Sequence, residues 1–411
     1  MFVSTVVTRF ALLIALLAAP LTAGAVLTLA DAERFALEQA PTLARARANV
    51  SASAERTVSE GRLPDPQLTT GFVNVPTDSY NLRQDDMTMT MVGVRQSFPP
   101  GDTLNLKSRR AEKELTREEA RLEAERRNLL RQVRQTWLEL YYATQSLRVL
   151  ETLRPLARRD LEAAEGRYRA AQDMQRAVFR ARQTLARIDE REPMLRAQAE
   201  RSRAQLGRWI GAAARAPLPA ALPPLPALPD RFDSARHPEW LAAEAELGAM
   251  RAEVDMARQD YKPGVMLDLQ YGFRRPMPDG TERPDMVTAM VTFDLPIFRS
   301  KRQDRRLAER QAKEAAARYE TEDKRRELES MYAAMLAEHE AIEARVRVFE
   351  ERLLPNIRRE AESTLAGFAR EQVELRDARM RQIDAELELV RLRVDLAKTQ
   401  AELLYLTGEQ P

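Results

Sequence analysis

Few side chains in this sequence have the types and spacing that catalysis needs. The chain contains no cysteine and only two histidines, His237 and His339, which lie far apart. His237 precedes Pro238 at an expected helix start, and His339 lies in a charged helical segment, so both are expected to be structural. The sequence has no phosphate-binding loop, nucleophile elbow or dinucleotide-binding fingerprint. It therefore predicts a protein that is not an enzyme and has no cofactor.

Methionine is the residue type whose spacing comes closest to a metal site. Three methionines alternate along one predicted strand and two occupy matching positions in another, which would place them on one face of a sheet. Thioether sulfur favours soft ions such as Cu(I) and Ag(I), although methionine also fills irregular space in ordinary packing. No resident metal is expected. The candidates for metal contact are Met87, Met89, Met91, Met286 and Met290.

Polar and aromatic residues cluster where two pairs of long helices are expected to turn back. If copies of the chain assemble around an axis, charges at these tips repeat as rings, which can close a mouth by ion pairs and select cations. An ordinary solvated turn is the alternative interpretation. The candidates are Tyr168, Ala171, Gln172 and Asp173 in the first tip and Phe368, Arg370, Glu371, Gln372, Glu374, Arg376 and Asp377 in the second.

The first residues have the organisation of a cleaved secretory signal. Arg9 ends a short basic region, residues 10–21 are almost wholly apolar, and Ala23-Gly24-Ala25 is a small-residue cleavage site. We therefore expect residues 1–25 to be a signal peptide and the exported chain to begin at Val26. An uncleaved N-terminal anchor helix is the alternative, which the short apolar run disfavours.

The rest of the sequence is strongly charged and poor in glycine. Charged residues make up 31% of the chain and its mean hydropathy is −0.48, so no later segment resembles a membrane helix. The 65 basic and 63 acidic residues are interleaved, which gives no basic patch for nucleic acid. The lack of cysteine excludes disulfides, thiolate metal sites and a lipid anchor on cysteine. A chain so rich in Ala, Leu, Arg and Glu is typical of coiled coils.

The sequence contains one unit twice. Residues 41–66 match residues 238–263 at an offset of 197, and Met91-Val92 matches Met290-Val291 at an offset of 199. Small insertions between matched blocks indicate duplication rather than chance. A further set matches at an offset of 200 and joins Glu151, Leu153, Pro155, Arg158, Arg159, Glu162 and Gln172 to Glu351, Leu353, Pro355, Arg358, Arg359, Glu362 and Gln372.

Each unit is predicted to contain a helix, two strands and two very long helices. Heptad steps such as Leu115, Leu122 and Leu129 support the long helices, in which Pro155 and Pro355 should cause equivalent kinks or breaks. The first unit, 26–212, should have a helix near 41–62, strands near 66–76 and 87–98, and helices near 103–169 and 174–210. The second unit, 237–411, should have a helix near 238–260, strands near 264–274 and 286–297, and helices near 299–367 and 373–406.

A connector, 213–236, lies between the units. Its segment 217–229 contains too many prolines for a helix or a central strand. We expect this segment to run extended against the outside of the helical bundle.

The predicted strands indicate a membrane barrel. They alternate apolar and polar residues over about 10–12 positions, the length of a tilted transmembrane strand. Four strands cannot close a barrel, since the smallest barrels need about eight, and open edges in lipid would leave unpaired backbone groups. The edges must therefore pair with further copies of the chain. A soluble coiled-coil protein with two surface hairpins is the alternative, but it does not explain such long, alternating strands.

With this organisation, the chain resembles a TolC-type outer-membrane factor over about residues 26–408. The similar features are the opening segment 27–41, in which Thr28 and Asp31 fit a capping box, the strand exits 92–101 and 291–298, and the helix ends 206–211 and 403–408. The resemblance implies a mainly α fold with a transmembrane β-barrel. It implies a homotrimer whose twelve-stranded barrel lies in outer-membrane lipid and continues as an α-helical periplasmic tunnel. The helical tips would dock onto a periplasmic adaptor (membrane fusion protein) and an inner-membrane pump.

Within this family, the chain is most similar to the heavy-metal branch that serves Czc- and Cus-type pumps of the RND class. The similarity lies in residues 96–101, residues 167–187 and the proline-rich connector. It implies a passive duct for heavy-metal cations. The alternatives are a duct for drugs or a type I secreted polypeptide, and a periplasmic coiled-coil adaptor. An adaptor should carry compact, glycine-rich β domains, and this chain has only 14 glycines.

Two features depart from the family pattern. The helical tips of the family usually carry Tyr-x-x-Gly, whereas here Tyr168 is followed by Ala171 and Phe368 by Glu371. The lipid anchor of many relatives is also missing from the sequence, since it requires a cysteine.

Overall fold

The computed structural model describes residues 26–172, 174–229, 231–366 and 372–408. The predicted signal peptide, 1–25, lies outside the described residues. Four of the tip candidates, Asp173, Phe368, Arg370 and Glu371, also lie outside them.

The helices and strands follow the same order in both units. The first unit has α1 (Leu29–Gln39), α2 (Pro41–Glu60), β1 (Gln67–Val73), β2 (Met89–Phe98), α3 (Thr103–Arg169) and α4 (Gln175–Ile210). The second has α5 (Pro238–Gln259), β3 (Val265–Phe273), β4 (Met286–Phe293), α6 (Gln303–Val348), α7 (Leu354–Ala366) and α8 (Gln372–Thr407). Helix α1, whose start the residues Thr28 and Asp31 predict, has no counterpart in the described part of the second unit.

Local sequence determines where helices α1, α2 and α5 begin. The Thr28 hydroxyl accepts from the Asp31 amide at 3.1 Å, so Thr28 is the N-cap of α1, and it donates to the Asp31 carboxylate at 2.7 Å, a side-chain contact in place of the amide contact of the predicted capping box. Helix α2 begins with Pro41 and α5 with Pro238. Proline suits these positions because the first amides of a helix have no partner within it.

The two prolines inside the long helices have different effects. Pro155 lies inside α3, which stays α-helical over 67 residues and spans about 100 Å at 1.5 Å per residue. Before Pro355, a π-helical turn at Phe349–Leu353 separates α6 from α7. Proline cannot donate to the carbonyl four residues back and its ring crowds that carbonyl, so a wider π turn relieves the contact. Of the two prolines, both within the described residues, Pro355 alone follows such a turn, and the helix predicted near 299–367 continues through it as α6, the π turn and α7.

The four strands form one antiparallel sheet in the order β1-β2-β3-β4. Thr70 pairs with Val92 in the first hairpin, and Leu267 pairs with Val291 in the second. These residues are counterparts at the two offsets in the sequence, 197 and 199, so the hairpins share one register. Strands β1 and β4 are shorter than predicted. Strand β1 ends before Asn74, whose φ of +54° leaves the extended region, and β4 ends shortly before Pro296, which has no amide to donate to a ladder. The outer edges of both strands have no partner strand within the described residues.

The register gives the sheet an apolar face and a polar face, because paired residues share a face and neighbouring residues alternate. The polar face carries Gln67, Thr69, Arg95, Asp268, Gln270, Thr288 and Thr292, together with methionines. The apolar face is exposed and carries Leu68, Phe72, Val92, Val94, Leu269, Tyr271, Phe273, Val287, Val291 and Phe293. This arrangement is typical of strands with lipid on one side and an aqueous lumen on the other.

The helical core is centred on Trp137 of α3. Its side chain is fully buried, its ring stacks on Tyr141 with 5.5 Å between centroids, and its Nε1 donates to the Leu27 carbonyl at 3.3 Å. Buried residues of α1, α3 and α4 pack around it. Among the described residues, no helix combines the length and the apolar character needed to cross a bilayer.

The proline-rich connector lies across the outside of this core. The hydroxyl of Tyr141 and the amide nitrogen of Gln145 both donate to the Ala220 carbonyl at 3.0 Å. On α8, the Gln400 side chain donates to the Pro226 carbonyl at 2.9 Å. Because the prolines prevent helix and ladder pairing, side chains of the two units supply donors to these carbonyls. The connector thereby ties α3 to α8.

Candidate functional site

An ion pair joins the two units on the polar face of the sheet. Arg95 on β2 donates from Nε and Nη2 to Asp268 Oδ2 on β3, at 2.9 and 2.8 Å. Asp268 is buried, whereas the Arg95 side chain is partly exposed. Charge-assisted hydrogen bonds of this kind are strong. Because the two charges are opposite, the Arg95–Asp268 pair carries no net charge on the polar face. Sequence reasoning missed it because no local pattern connects residues on β2 and β3.

Four of the five candidate methionines lie on this polar face. Met89, Met91, Met286 and Met290 occupy strand positions that share it. Met91 pairs with Gly272, which in turn pairs with Met286. A Cβ atom added at Gly272 would come within 2.6 Å of Met89 Sδ. The missing side chain at Gly272 therefore leaves room for the Met89 thioether between two further methionines.

The fifth methionine stands apart from this group. Met87 precedes β2 and is exposed. The described residues contain no group of three or more histidine, aspartate or glutamate side chains placed to hold a metal ion. A metal contact on the polar face would therefore depend on methionine sulfur.

The first helical tip is a tight turn at the end of α3. The Ala171 amide donates to the Tyr168 carbonyl, and the Gln172 amide donates to the Arg167 carbonyl, both at 3.0 Å. Ala171 has φ of +58°, which places it in the left-handed region that favours glycine. The turn thus has the backbone form that the family pattern Tyr-x-x-Gly would produce, with alanine at the glycine position. Tyr168 and Gln172 are exposed on it.

The second helical tip is described only in part. Gln372, Glu374, Arg376 and Asp377 belong to the first turns of α8.

Ion pairs join the helices near the tips. Arg182 on α4 pairs with Glu165 on α3 at 2.8 Å, and Arg191 on α4 pairs with Asp384 on α8 at 2.7 Å. Exposed pairs like these contribute about 0–1 kcal/mol each. Sequence reasoning did not single out these residues, because alternating charges along a helix do not show which partner each one meets.

A buried polar cluster lies where the second unit begins. His237 is buried and caps α5, since its Nδ1 accepts from the Glu239 amide at 3.3 Å. The Tyr405 ring meets the imidazole edge-on at 5.4 Å, and the Tyr405 hydroxyl donates to Glu239 Oε1 at 2.6 Å. Burial lowers the pKa of His237 to about 4. The imidazole is therefore neutral at pH 7 and acts as a structural cap, in line with its position before Pro238.

The architecture is shared with solved bacterial outer-membrane channels. The structural match with CusC covers 95% of this chain and 94% of the CusC chain, with 17% sequence identity and a TM-score of 0.79. The match with the outer-membrane channel OprN covers 93% of this chain and 90% of the OprN chain, with 18% sequence identity and a TM-score of 0.79. The match with VceC, an outer membrane protein of Vibrio cholerae, covers 93% of this chain and 96% of the VceC chain, with 16% sequence identity and a TM-score of 0.77. The fold is that of TolC-like trimeric channels, with a barrel and a helical tunnel.

Family membership follows from the sequence match. No curated protein sequence matches the chain significantly. The family model described as outer membrane efflux protein matches residues 34–212 and 234–409, which are most of the chain and form one segment for each unit. Since the duplicated order of elements and the apolar face of the sheet agree with this match, the chain belongs to the outer membrane efflux protein family.

Proposed function

We propose that three copies of the chain form the outer-membrane duct of a tripartite efflux system that exports heavy-metal cations. The observation that carries this proposal is the four-stranded sheet, which has one apolar face, one polar face and two edges without a partner strand among the described residues. In lipid, each unpaired backbone group costs several kcal/mol. Twelve strands from three copies would close the barrel and remove these edges.

Transport through the duct needs an external driving force. Membership of the family makes the chain a passive channel protein and not an enzyme. We assign the driving force to an inner-membrane RND pump that reaches the duct through a periplasmic adaptor. The helical tips lie about 100 Å from the sheet along α3, and the exposed Tyr168 and Met174 offer apolar contacts there. The tips are therefore the surfaces we assign to adaptor docking and to the gate.

Two observations favour metal cations as the cargo. Met89, Met91 and Met286 meet around Gly272 on the polar face, and thioether sulfur suits soft cations such as Cu(I) and Ag(I). The sequence resembles the branch that serves Cus-type pumps, and CusC is among the proteins with the same fold. The outer-membrane channel OprN is equally similar in fold, so similarity of fold does not select the cargo, and drugs are the competing cargo class.

Complementation tests the function and the cargo together. The chain, expressed with its own adaptor and pump in a strain that lacks a metal-efflux duct, should restore growth in Ag(I) or Cu(I). A variant with leucine at Met89, Met91 and Met286 should lose part of this tolerance while the trimer still reaches the outer membrane. Met194→Leu is the matched control, because Met194 is exposed on α4.

Three outcomes would contradict the proposal in different ways. Restored drug resistance without metal tolerance would assign the duct to drugs. Full metal tolerance in the triple leucine variant would show that Met89, Met91 and Met286 do not contribute to metal export. A soluble periplasmic monomer after gentle extraction would overturn the barrel itself.

A further inference from the structure

The junction between two copies of the chain can be derived from the junction inside one. Strands β2 and β3 come from different units and pair with Arg95 opposite Asp268. By the duplication, β4 is the counterpart of β2 at an offset of 199, and β1 is the counterpart of β3 at an offset of 197. Closure of the barrel joins β4 of one copy to β1 of the next. We expect the two junctions to share a register, as the two hairpins do.

The backbone of β4 is oriented for this register. The Asp294 amide donates to the Gly264 carbonyl of the same chain at 3.0 Å. Backbone groups alternate in direction along a strand, so those of Phe293 point to the open edge. The derived register places Phe293 opposite Phe72 of the partner subunit. Both aromatic side chains lie on the apolar face, where cross-strand aromatic pairs stabilise a sheet.

The two junctions differ in charge on the polar face. Inside the chain, Arg95 neutralises Asp268. At the junction between copies, Asp294 is the counterpart of Arg95 and Gly71 is the counterpart of Asp268. The Asp294 carboxylate lies on the polar face, since its Oδ2 would be 3.1 Å from a Cβ atom at Gly264. It is exposed and has no ion-pair partner among the described residues.

We infer that Asp294 from three copies forms an acidic ring in the lumen, and that this ring makes the barrel favour cations over anions. Residues related by the duplication lie at equal height along the axis of a closed barrel, so the Asp294 ring lies at the height of the Arg95–Asp268 pairs. The charges of Arg95 and Asp268 cancel within each pair, whereas those of the ring do not. Unpaired carboxylate rings raise the local concentration of cations. The next basic residues along the chain, Arg299, Lys301 and Arg302, lie beyond the end of the sheet. The inference rests on the duct proposed above but not on its heavy-metal cargo.

Cysteine cross-linking tests the register. The natural chain has no cysteine, so introduced pairs give unambiguous products. Gly71→Cys with Asp294→Cys should yield linked dimers and trimers on non-reducing gels after oxidation with copper phenanthroline, because residues opposite each other in a sheet lie within disulfide range. Asp294→Cys combined with Val73→Cys is the control, shifted by two residues on the same face. More linked product from the control pair would overturn the register.

Reversal potentials in a KCl gradient test the selectivity. The trimer in a planar bilayer should favour K⁺ over Cl⁻, and Asp294→Asn should reduce the permeability ratio about twofold or more, with a larger effect at low salt. Asp279→Asn, in the loop between β3 and β4, should leave the ratio unchanged. Asp294→Arg with Gly71→Asp rebuilds the internal pair and should remove the preference. If Asp294→Asn leaves the permeability ratio unchanged, the acidic ring is contradicted but the proposed duct is not. If the natural chain forms no pore, the proposed duct itself is contradicted.

Discussion

The amide of Gln172 donates to the carbonyl of Arg167 at 3.0 Å and closes the end of α3 around Ala171. This is a Schellman turn, whose residue with positive φ is usually glycine. Ala171 has φ of +58°, so its Cβ atom strains a turn that the helical hairpin nevertheless adopts. The strain lies at the tip that we assign to adaptor docking.

Ala171→Gly should stabilise this tip by about 1 kcal/mol, because glycine adopts the left-handed conformation without the Cβ contact. Local opening should become about fivefold rarer. The rate of trypsin cleavage after Arg167 and Arg169 measures the population of the open tip, provided that the tip closes faster than trypsin cleaves it. Ala170→Gly is the matched control, since Ala170 has φ of −80° and glycine would only add flexibility there. Faster cleavage of the Ala171 variant than of the natural chain would contradict the strain.

The buried His237 predicts a loss of stability in mild acid. Burial lowers its pKa from 6.5 to about 4; Glu239 opposes this shift, whereas Arg127 and Lys324 add to it. Between these pH values the unfolded chain binds a proton that the folded chain does not. Stability is therefore full above pH 6.5 and falls as the pH drops to about 4. The shift corresponds to about 3 kcal/mol.

Thermal denaturation of the trimer at a series of pH values measures this effect. His237→Asn should flatten the profile in this window, because asparagine can still cap α5 but does not titrate. His339→Asn is the control, since His339 is only partly buried and bonds to Thr399 at 2.9 Å. A profile that keeps its full slope in the His237 variant would assign the acid sensitivity to other groups.

Trp137→Ala should cost about 3–5 kcal/mol, because it removes a large, fully buried side chain and leaves a cavity. It also removes the hydrogen bond to the Leu27 carbonyl. The heat-induced dissociation of the trimer in detergent should shift to lower temperature. Phe179→Ala, at an exposed position on α4, should change stability by about 0.5 kcal/mol or less. Equal effects of the two changes would show that the core around Trp137 does not limit stability.

The charges of the second tip predict an ion-pair gate. Single exposed pairs contribute about 0–1 kcal/mol, but three copies of several pairs reach a few kcal/mol, enough to bias a two-state gate about a hundredfold. Arg370→Ser with Asp377→Ser should therefore raise single-channel conductance and admit large antibiotics, more at low salt. Gln172→Ser is the neutral control. Unchanged conductance across a range of salt would assign these charges to a solvated turn.

Local pattern was enough to predict most elements. Helix α3 occupies Thr103–Arg169, close to the range that its heptads predict, because a repeat of apolar residues buries a helix wherever a partner exists. The capping residue Thr28 fits its predicted role for the same reason: both partners lie within one turn. The difference between Pro155 and Pro355 was not predictable, since it depends on how the neighbouring turns absorb a missing hydrogen bond.

The sequence by itself determined the duplication and the order of the strands and long helices, since these follow from periodicity and from offsets between matched residues. Only the tertiary structure decided that Arg95 meets Asp268, that Tyr405 closes over His237, and that the connector bonds to Tyr141 and Gln400. These contacts join residues far apart in the chain. They depend on how whole helices and strands dock, which no local spacing of side chains encodes.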